Sequence, residues 1–357
     1  MDTPKIIDTV GLTFDDVLLM PNYSQVRREE TDVSVVLAEK LKLDIPLISS
    51  PMDTVTMSEM AIALGKLGGL GVIHRNMTID DQVEEVKKAK KEISPVAAAV
   101  GVGKDLERRM AALSSSGIDI VVIDSAHGYT KMVLEATKFI SEKYKNLIII
   151  AGNVATAAGC KALIEQGAHI IRVGMGPGSI CTTRIVAGIG VPQITALIAT
   201  VAIAKNYGVK VIADGGLRSS GDIVKALSAG ADAVMAGSLF AGCDEAPGKI
   251  ESYKGKKYKS YRGMGSISAM RQGSAARYGQ EYRVGQEKKL IAEGVEGLVS
   301  YKGSLENVVT QLIGGVKSGM YYLGVKNIRE LQEKTRFIRV TGASLAESYP
   351  HDILLKI

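Results

Sequence analysis

Cys181 lies in the stretch GMGPGSICTTR (174–184), flanked by Gly176, Gly178, Ser179, Thr182 and Thr183. A thiolate is the best intrinsic nucleophile among side chains, and glycine lets backbone groups close around a bound molecule. The stretch therefore reads as a nucleophile loop, although a glycine bend can also be plain turn chemistry. No histidine adjoins Cys181, so a papain-like dyad is not implied. The other two cysteines, Cys160 and Cys243, lie in apolar helical or loop contexts and read as inert.

Two further stretches suit an anion. ADGG (213–216) and AGS (236–238) are glycine turns through which backbone amides can approach a phosphate. Asp214 would repel that phosphate, so it reads as an acceptor for sugar hydroxyls, and a phosphorylated sugar satisfies both groups. Asp124 offers a second carboxylate of the same kind, suited to a second ribose.

A repeated unit would bring these residues together. From residue 60 onward a helical stretch ends in glycine, and a short apolar run follows and ends in a polar residue or glycine. The instances are LGGLGVIHR (67–75), SSGIDIVVIDS (115–125), EQGAHIIRVG (165–174), NYGVKVIADGG (206–216) and SAGADAVMAGS (228–238). Gly117, Gly167, Gly208 and Gly230 read as helix C-terminal caps. The apolar runs scarcely alternate, as expected of strands buried on both faces. In KDLERRMAALSSS, Leu106, Met110 and Leu113 share one helical face.

Three more runs, IPLISS (45–50), VAAAVGV (96–102) and NLIIIAGN (146–153), bring the strand count to eight. Eight strands alternating with helices predict a closed (β/α)8 TIM barrel, one catalytic domain over 1–357. An open doubly wound sheet is the alternative, but no G-x-G-x-x-G follows the first strand, and APGKIE (246–251) fails as a phosphate loop. Barrel active sites lie at the strand C-termini, here Ser49, Ser50, His74, Asp124, Gly152, Asn153, Gly174, Asp214 to Gly216, Gly237 and Ser238. Beyond the eighth strand, YRGMGSISAM (261–270) opens a polar, glycine-rich segment reaching residue 300, too long for an ordinary connection. It reads as disordered or as a lid, and within it Arg277 and Tyr278 read as solvated surface residues.

The bulk properties fit a globular enzyme with an aliphatic core: 357 residues, 46% apolar and 23% charged, with no tryptophan. A net charge of +6 suits an anionic ligand, yet no basic stripe interleaved with aromatics points to nucleic acid. Three well-separated cysteines imply no disulfide framework, which suits a reducing cytoplasm. The N-terminus lacks a signal-peptide pattern, and no apolar run is long enough to cross a membrane. His74, His127, His169 and His351 have no metal-ligand spacing.

Taken together, the chain resembles the inosine-5′-monophosphate (IMP) dehydrogenase family along nearly its whole length. The resemblance rests on GLTFDDVLLMPNYS (11–24), PLISSPMDTVT (46–56), DSAHG (124–128), AGNV (151–154), GMGPGSICTTRIVAGIGVPQITA (174–196), ADGGLRSSGDIVKAL (213–227), GSLFAGCDEAPG (237–248), YRGMGS (261–266) and ESYPHD (347–352). It implies that Cys181 attacks C2 of IMP while hydride leaves for NAD, and that water then hydrolyses the thioimidate to xanthosine 5′-monophosphate. Ser50, Met52, Ser179, Tyr261, Gly263, Met264, Gly265 and Glu293 would contact IMP, Asp214 its ribose, and Gly216, Gly237 and Ser238 its phosphate. Asp124, Ser125, Ala126, His127, Asn153, Gly174, Met175 and Gly176 would line the NAD side. Arg277 and Tyr278 match a mobile flap pair (segment 267–300) that activates water, with Thr183 and Glu293 as an alternative proton route. Carbonyls of Gly176, Gly178 and Cys181 would bind a potassium ion, completed by Glu347, Ser348 and Tyr349 of a neighbouring subunit. Such bridging, within a C-terminal segment 335–357, implies a homotetramer.

Two departures from the family pattern stand out. Most members carry a pair of regulatory CBS domains between the second helix and third strand, whereas EEVKKAKKEISPVAAAVGVG (84–103) passes straight through at about 91–96. The flap reads SAARYGQEYRVG, looser than the usual context of its Arg-Tyr pair. GMP reductase, which shares barrel, cysteine and threonine, is the nearest rival activity. A flavin-dependent barrel oxidoreductase and a non-catalytic purine sensor are more distant ones. Arg277-Tyr278, YRGMGS and ESYPHD match the dehydrogenase rather than the reductase.

Overall fold

The structure is a computed structural model that describes residues 6–353. Eight parallel strands form its centre: β1 (Leu47–Ser49), β2 (Leu70–Ile73), β3 (Ala97–Val100), β4 (Ile120–Asp124), β5 (Ile148–Val154), β6 (Ile170–Val173), β7 (Lys210–Asp214) and β8 (Ala233–Ala236). Each pairs with its sequence neighbour, and β8 closes on β1 through Val234–Leu47, Met235–Ile48 and Ala236–Ser49. The expected (β/α)8 barrel is the observed one, and the open sheet is excluded by that closure.

Helices α1 (Ser58–Lys66), α2 (Ile79–Lys90), α3 (Leu106–Ser115), α4 (Lys131–Lys143), α5 (Ala157–Glu165), α6 (Thr183–Val186), α7 (Gln193–Asn206) and α8 (Ser220–Ser228) make the crossovers. Their boundaries follow local chemistry. Thr78, Thr130, Thr156 and Ser219 accept backbone N–H bonds as N-caps of α2, α4, α5 and α8, each contributing about 1 kcal/mol. At the other ends, Gly117, Gly167, Gly208 and Gly230 all have positive φ, the conformation of the caps the repeat predicts. Met110 and Leu113 of α3 are fully buried, and every residue of β3 and β4 is buried, because one face meets the barrel interior and the other the helices. Between α2 and β3 the chain runs directly through residues 91–96.

Two expectations need correction. β5 continues to Val154, one residue past the expected end at Asn153, with a register shift against β6 between Gly152 and Val154. The segment to residue 300 is not structureless. It holds α9 (Ile267–Arg271) and ends in a strand of a three-stranded antiparallel sheet: β9 (Ile250–Tyr253), β10 (Lys256–Arg262) and β11 (Glu296–Ser300), with β10 central. The strand Val17–Leu19 pairs with Phe337–Arg339, tying the two ends of the chain together. Residues 1–5 of the expected domain, and 354–357 of its C-terminal segment, lie outside the described residues.

Candidate active site

The Cys181 loop leaves β6, turns through a hydrogen bond from Cys181 N–H to the Gly178 carbonyl (3.1 Å), and enters α6 at Thr183. Cys181 Sγ donates to Thr183 Oγ1 at 3.3 Å, so thiol and hydroxyl share one space. The loop is held from the far side by residues 293–295. Thr182 N–H donates to the Glu293 carbonyl, and Val295 N–H to the Ile180 carbonyl, both at 3.0 Å. Glu293 N–H in turn reaches the Gly265 carbonyl (3.0 Å), linking the loop to the residues after β10.

One cavity at the strand C-termini gathers most of the residues that the sequence marks for chemistry. Cys181, Thr183, Glu293, Arg277 and Tyr278 face it beside Ser50, Met52, Asp214 and Gly237. Tyr261, Gly263, Met264, Asn153, Ala126, Gly174, Met175, Gly176 and Gly178 complete the expected part of its wall. An adjoining pocket holds Ser179, Gly216 and Ser238, and adds Thr13, Asp15, Arg184 and Arg218. His127 lies in a separate pocket that shares Met175 with the main one. Glu347, Ser348 and Tyr349 are exposed and line none of these three pockets.

Some expected residues shape the site from behind its surface. Ser125 is nearly buried, and its hydroxyl donates to the His127 carbonyl (3.0 Å) and accepts the His127 N–H (3.2 Å), fixing the turn after β4. Gly265 permits a close approach: a Cβ there would lie 2.8 Å from the Tyr278 ring and 2.8 Å from the Glu293 backbone. His74 is buried, with Nδ1 accepting the Asn76 N–H (3.1 Å), and does not line the main cavity. Burial lowers its pKa to about 4, against the opposing pull of Asp53 and Glu85.

Charge at the mouth is organised around Asp124. Arg172, buried within β6, donates from Nη1 to Asp124 Oδ1 (2.7 Å) and from Nε to Asp214 Oδ2 (2.8 Å). One guanidinium thus bridges the two carboxylates that the sequence assigns to two riboses. Asn153 Nδ2 donates to Asp214 Oδ2 (2.7 Å) and the Gly174 carbonyl (2.8 Å). Arg277 ion-pairs with the other oxygen of Asp124, and Arg75 Nε stands 3.9 Å from it.

The solvated reading of Arg277 and Tyr278 is therefore wrong. The Arg277 side chain is only 12% exposed, and its carbonyl accepts the Ala126 N–H (3.3 Å). Its partners are more than a hundred residues away in sequence, so nothing local to SAARYG announces the burial. Burial lowers the Arg277 pKa, aided by the neighbouring Arg75 cation and opposed by Tyr278 and by the carboxylate of Asp124. Burial raises that of Tyr278, opposed by Arg277 and reinforced by the negative forms of Cys181 and Glu293. Tyr261 is likewise driven up by burial, with Ser179 opposing. Cys160 and Cys243 are fully buried, and burial pushes their thiols to about 11 and about 12, so the inert reading of both fits.

A half-buried thiol–hydroxyl pair beside a carboxylate pair and two glycine turns suits nucleophilic attack on a phosphorylated, ribose-bearing molecule. Comparison with known proteins gives the family. Residues 11–351 match the family model described as the IMP dehydrogenase / GMP reductase domain. The chain belongs to that family. An inosine-5′-monophosphate dehydrogenase of Aquifex aeolicus is 41% identical over 471 residues, covering 96% of each chain. Those of Halalkalibacterium halodurans and Staphylococcus saprophyticus are each 40% identical, again over 96% of both chains. These alignments are longer than the 357 residues of this chain, so such family members hold internal sequence that it lacks.

Sequence reasoning within the family motifs missed several contributors. Arg172 and Arg75 were hidden as single charges at the ends of apolar runs. The 293–295 brace and the Thr13–Asp15 rim reach the site only through tertiary folding.

Proposed function

We propose that this chain oxidises IMP to xanthosine 5′-monophosphate with NAD, a step of guanine nucleotide synthesis, through a covalent thioimidate on Cys181. The observation that carries the reading is the convergence of Cys181, Thr183, Asp214, Tyr261 and the Arg277-Tyr278 pair on one cavity. Asp214 takes the ribose hydroxyls of IMP, and Gly216, Gly237 and Ser238 its phosphate. Ser50, Met52 and Met264 bracket the base. The Cys181 sulfur bonds to C2, which loses hydride; NAD, when bound, supplies the acceptor. Asp124 and Asn153 would line the cofactor side, where Asn153 Oδ1 is buried without a partner. Water then adds to the thioimidate carbon, the C2–S bond breaks, and the thiol is regenerated.

Arg277 and Tyr278 belong to a flap, 267–300, that occupies the cofactor side during hydrolysis. A guanidinium is a poor base at its ordinary pKa; burial beside Arg75 lowers that of Arg277, while its ion pair with Asp124 favours the cation. Thr183 and Glu293 offer the second proton route. The carbonyls of Gly176, Gly178 and Cys181 would hold a potassium ion that shapes the cysteine loop, with the exposed Glu347, Ser348 and Tyr349 supplied by a neighbouring subunit. An exposed apolar rim near that loop, with Ile185 86% exposed, supports subunit contacts, which the reading assigns to a homotetramer; the three well-separated cysteines suit the cytoplasm. The missing internal segment is the CBS pair, so nucleotide regulation through it is absent. Among the described residues no helix is long and apolar enough to cross a membrane.

The test is NADH formation from IMP and NAD, stimulated by potassium over sodium. Rapid deamination of GMP with NADPH, and none of the first reaction, would instead place the chain with GMP reductases.

A further inference from the structure

Lys259 takes no part in the chemistry above, yet it is 2% exposed and among the largest fully buried side chains. An ammonium leaves water at high cost unless its protons are accepted. All three are. Nζ donates to the carbonyls of Cys243 (2.9 Å), Asp244 (3.2 Å) and Ala246 (2.5 Å). These acceptors end a turn that begins at Gly237 and Ser238. Hydrogen bonds from Ala241 N–H to the Gly237 carbonyl (2.9 Å), Cys243 N–H to Phe240 (3.0 Å) and Ala246 N–H to Cys243 (3.2 Å) run through it.

Lys259 and Tyr261 project to the same face of β10, two residues apart. Tyr261 meets the beginning of the turn so closely that a Cβ on Gly237 would lie 2.6 Å from its hydroxyl. Lys259 grips the end. One strand therefore clamps both ends of the 237–246 turn, and the clamp at the far end is a charge held by carbonyls alone.

We propose that Lys259 is a positioning residue for the substrate 5′-phosphate: its ammonium fixes the 237–246 turn so that Gly237 and Ser238 stay aimed at that group. The assignment rests on the reading of the ligand as a purine nucleoside monophosphate. It predicts a selective defect, because the cysteine loop is braced separately by residues 293–295.

The experiment uses the full chain with Lys259→Met, which removes every donor, and Lys259→Gln, which keeps an amide donor. Iodoacetamide alkylation of Cys181 is followed by mass spectrometry while IMP or inosine protects it, and NADH formation gives KM and kcat. Losing a charged donor to three buried carbonyls predicts a rise of about tenfold in half-protecting IMP and in KM, with a smaller change in kcat. Lys259→Gln falls between Lys259→Met and wild type, while inosine protection and the unprotected alkylation rate stay at wild-type values. Parallel losses for IMP and inosine, unchanged IMP protection, or failure of both variants to fold would overturn the assignment and leave Lys259 a stability residue. Wild-type protein that IMP does not protect would overturn the reading of the site itself.

Discussion

Around Asp124 the barrel mouth is built from charged side chains, whereas around Gly215–Gly216 and Gly237 it is built from backbone. On the first side Arg172, Arg75 and Arg277 converge on one carboxylate, and Asn153 and Asp214 extend the network. On the second, the approach of Tyr261 to Gly237 and the positive φ of Gly216 leave room for a ligand that main-chain amides can reach. On the proposed function the charged side can be rearranged, since Arg277 belongs to the proposed flap. The glycine side offers fixed main-chain groups, with the charged side chains of Asp15, Arg184 and Arg218 only at its rim. On that reading, a site that binds one nucleotide throughout and exchanges a cofactor for water midway uses both kinds of wall.

The comparison breaks most readily at Arg277. Arg277→Ala should slow adduct hydrolysis by about 10²- to 10⁴-fold, the range of a lost general base, and leave hydride transfer near its wild-type rate. Stopped-flow NADH bursts followed by slow turnover would display that split; a slowed burst would place Arg277 on the wrong step. Arg172→Met strands Asp124 and Asp214 with fewer cations, and removing one partner of a buried pair costs about 3–5 kcal/mol. Urea unfolding measures the loss, and KM for both IMP and NAD should rise together because one guanidinium joins the two carboxylates.

Acid should act first behind the cavity, at His74. The buried His74 resists protonation until about pH 4, whereas an unfolded histidine takes its proton near pH 6.5. Between those values only the unfolded chain binds the proton, so stability falls as pH drops through that window, by about 3 kcal/mol in full. The Asp53 and Glu85 carboxylates oppose the effect and Arg262 and Arg109 support it. His74→Gln should flatten the acid limb of the melting temperature between pH 6.5 and 4; an unchanged limb would locate acid sensitivity elsewhere. On the backbone side, Gly237→Ala drives a methyl against Tyr261 Oη and Met52 Sδ at 2.6 and 3.0 Å. Overpacking of about 1–3 kcal/mol predicts a rise in KM for IMP of about tenfold, with KM for NAD unaffected.

The same contrast explains what was legible in the sequence. The glycine side follows from short-range rules: Gly167 and Gly208 end helices, an apolar run follows, and the next glycines mark a strand end. A reader who counts eight such units can place Gly216, Gly237 and Cys181 on one rim. The charged side obeys no local rule. Arg172 sits in IIRV as a lone charge in an otherwise apolar strand, and its meaning appears only when β6 stands between β5 and β7 near Asp124. Arg277 looks solvated in SAARYG because its partners are supplied by β4 and by the turn after it. Lys259 is harder still: three lysines follow Gly255 in KGKKYKSYR, and only the alternation that buries Tyr261 singles out the third.

The central claim is that chemistry runs through a bond to Cys181. Mixing the protein with IMP and NAD, quenching within a turnover and recording intact mass tests it directly, with Cys181→Ala and Arg277→Ala alongside. A nucleotide adduct on the wild-type chain, accumulating in Arg277→Ala and missing from Cys181→Ala together with NADH, is the predicted result. NADH formation by Cys181→Ala at an unchanged rate would contradict it.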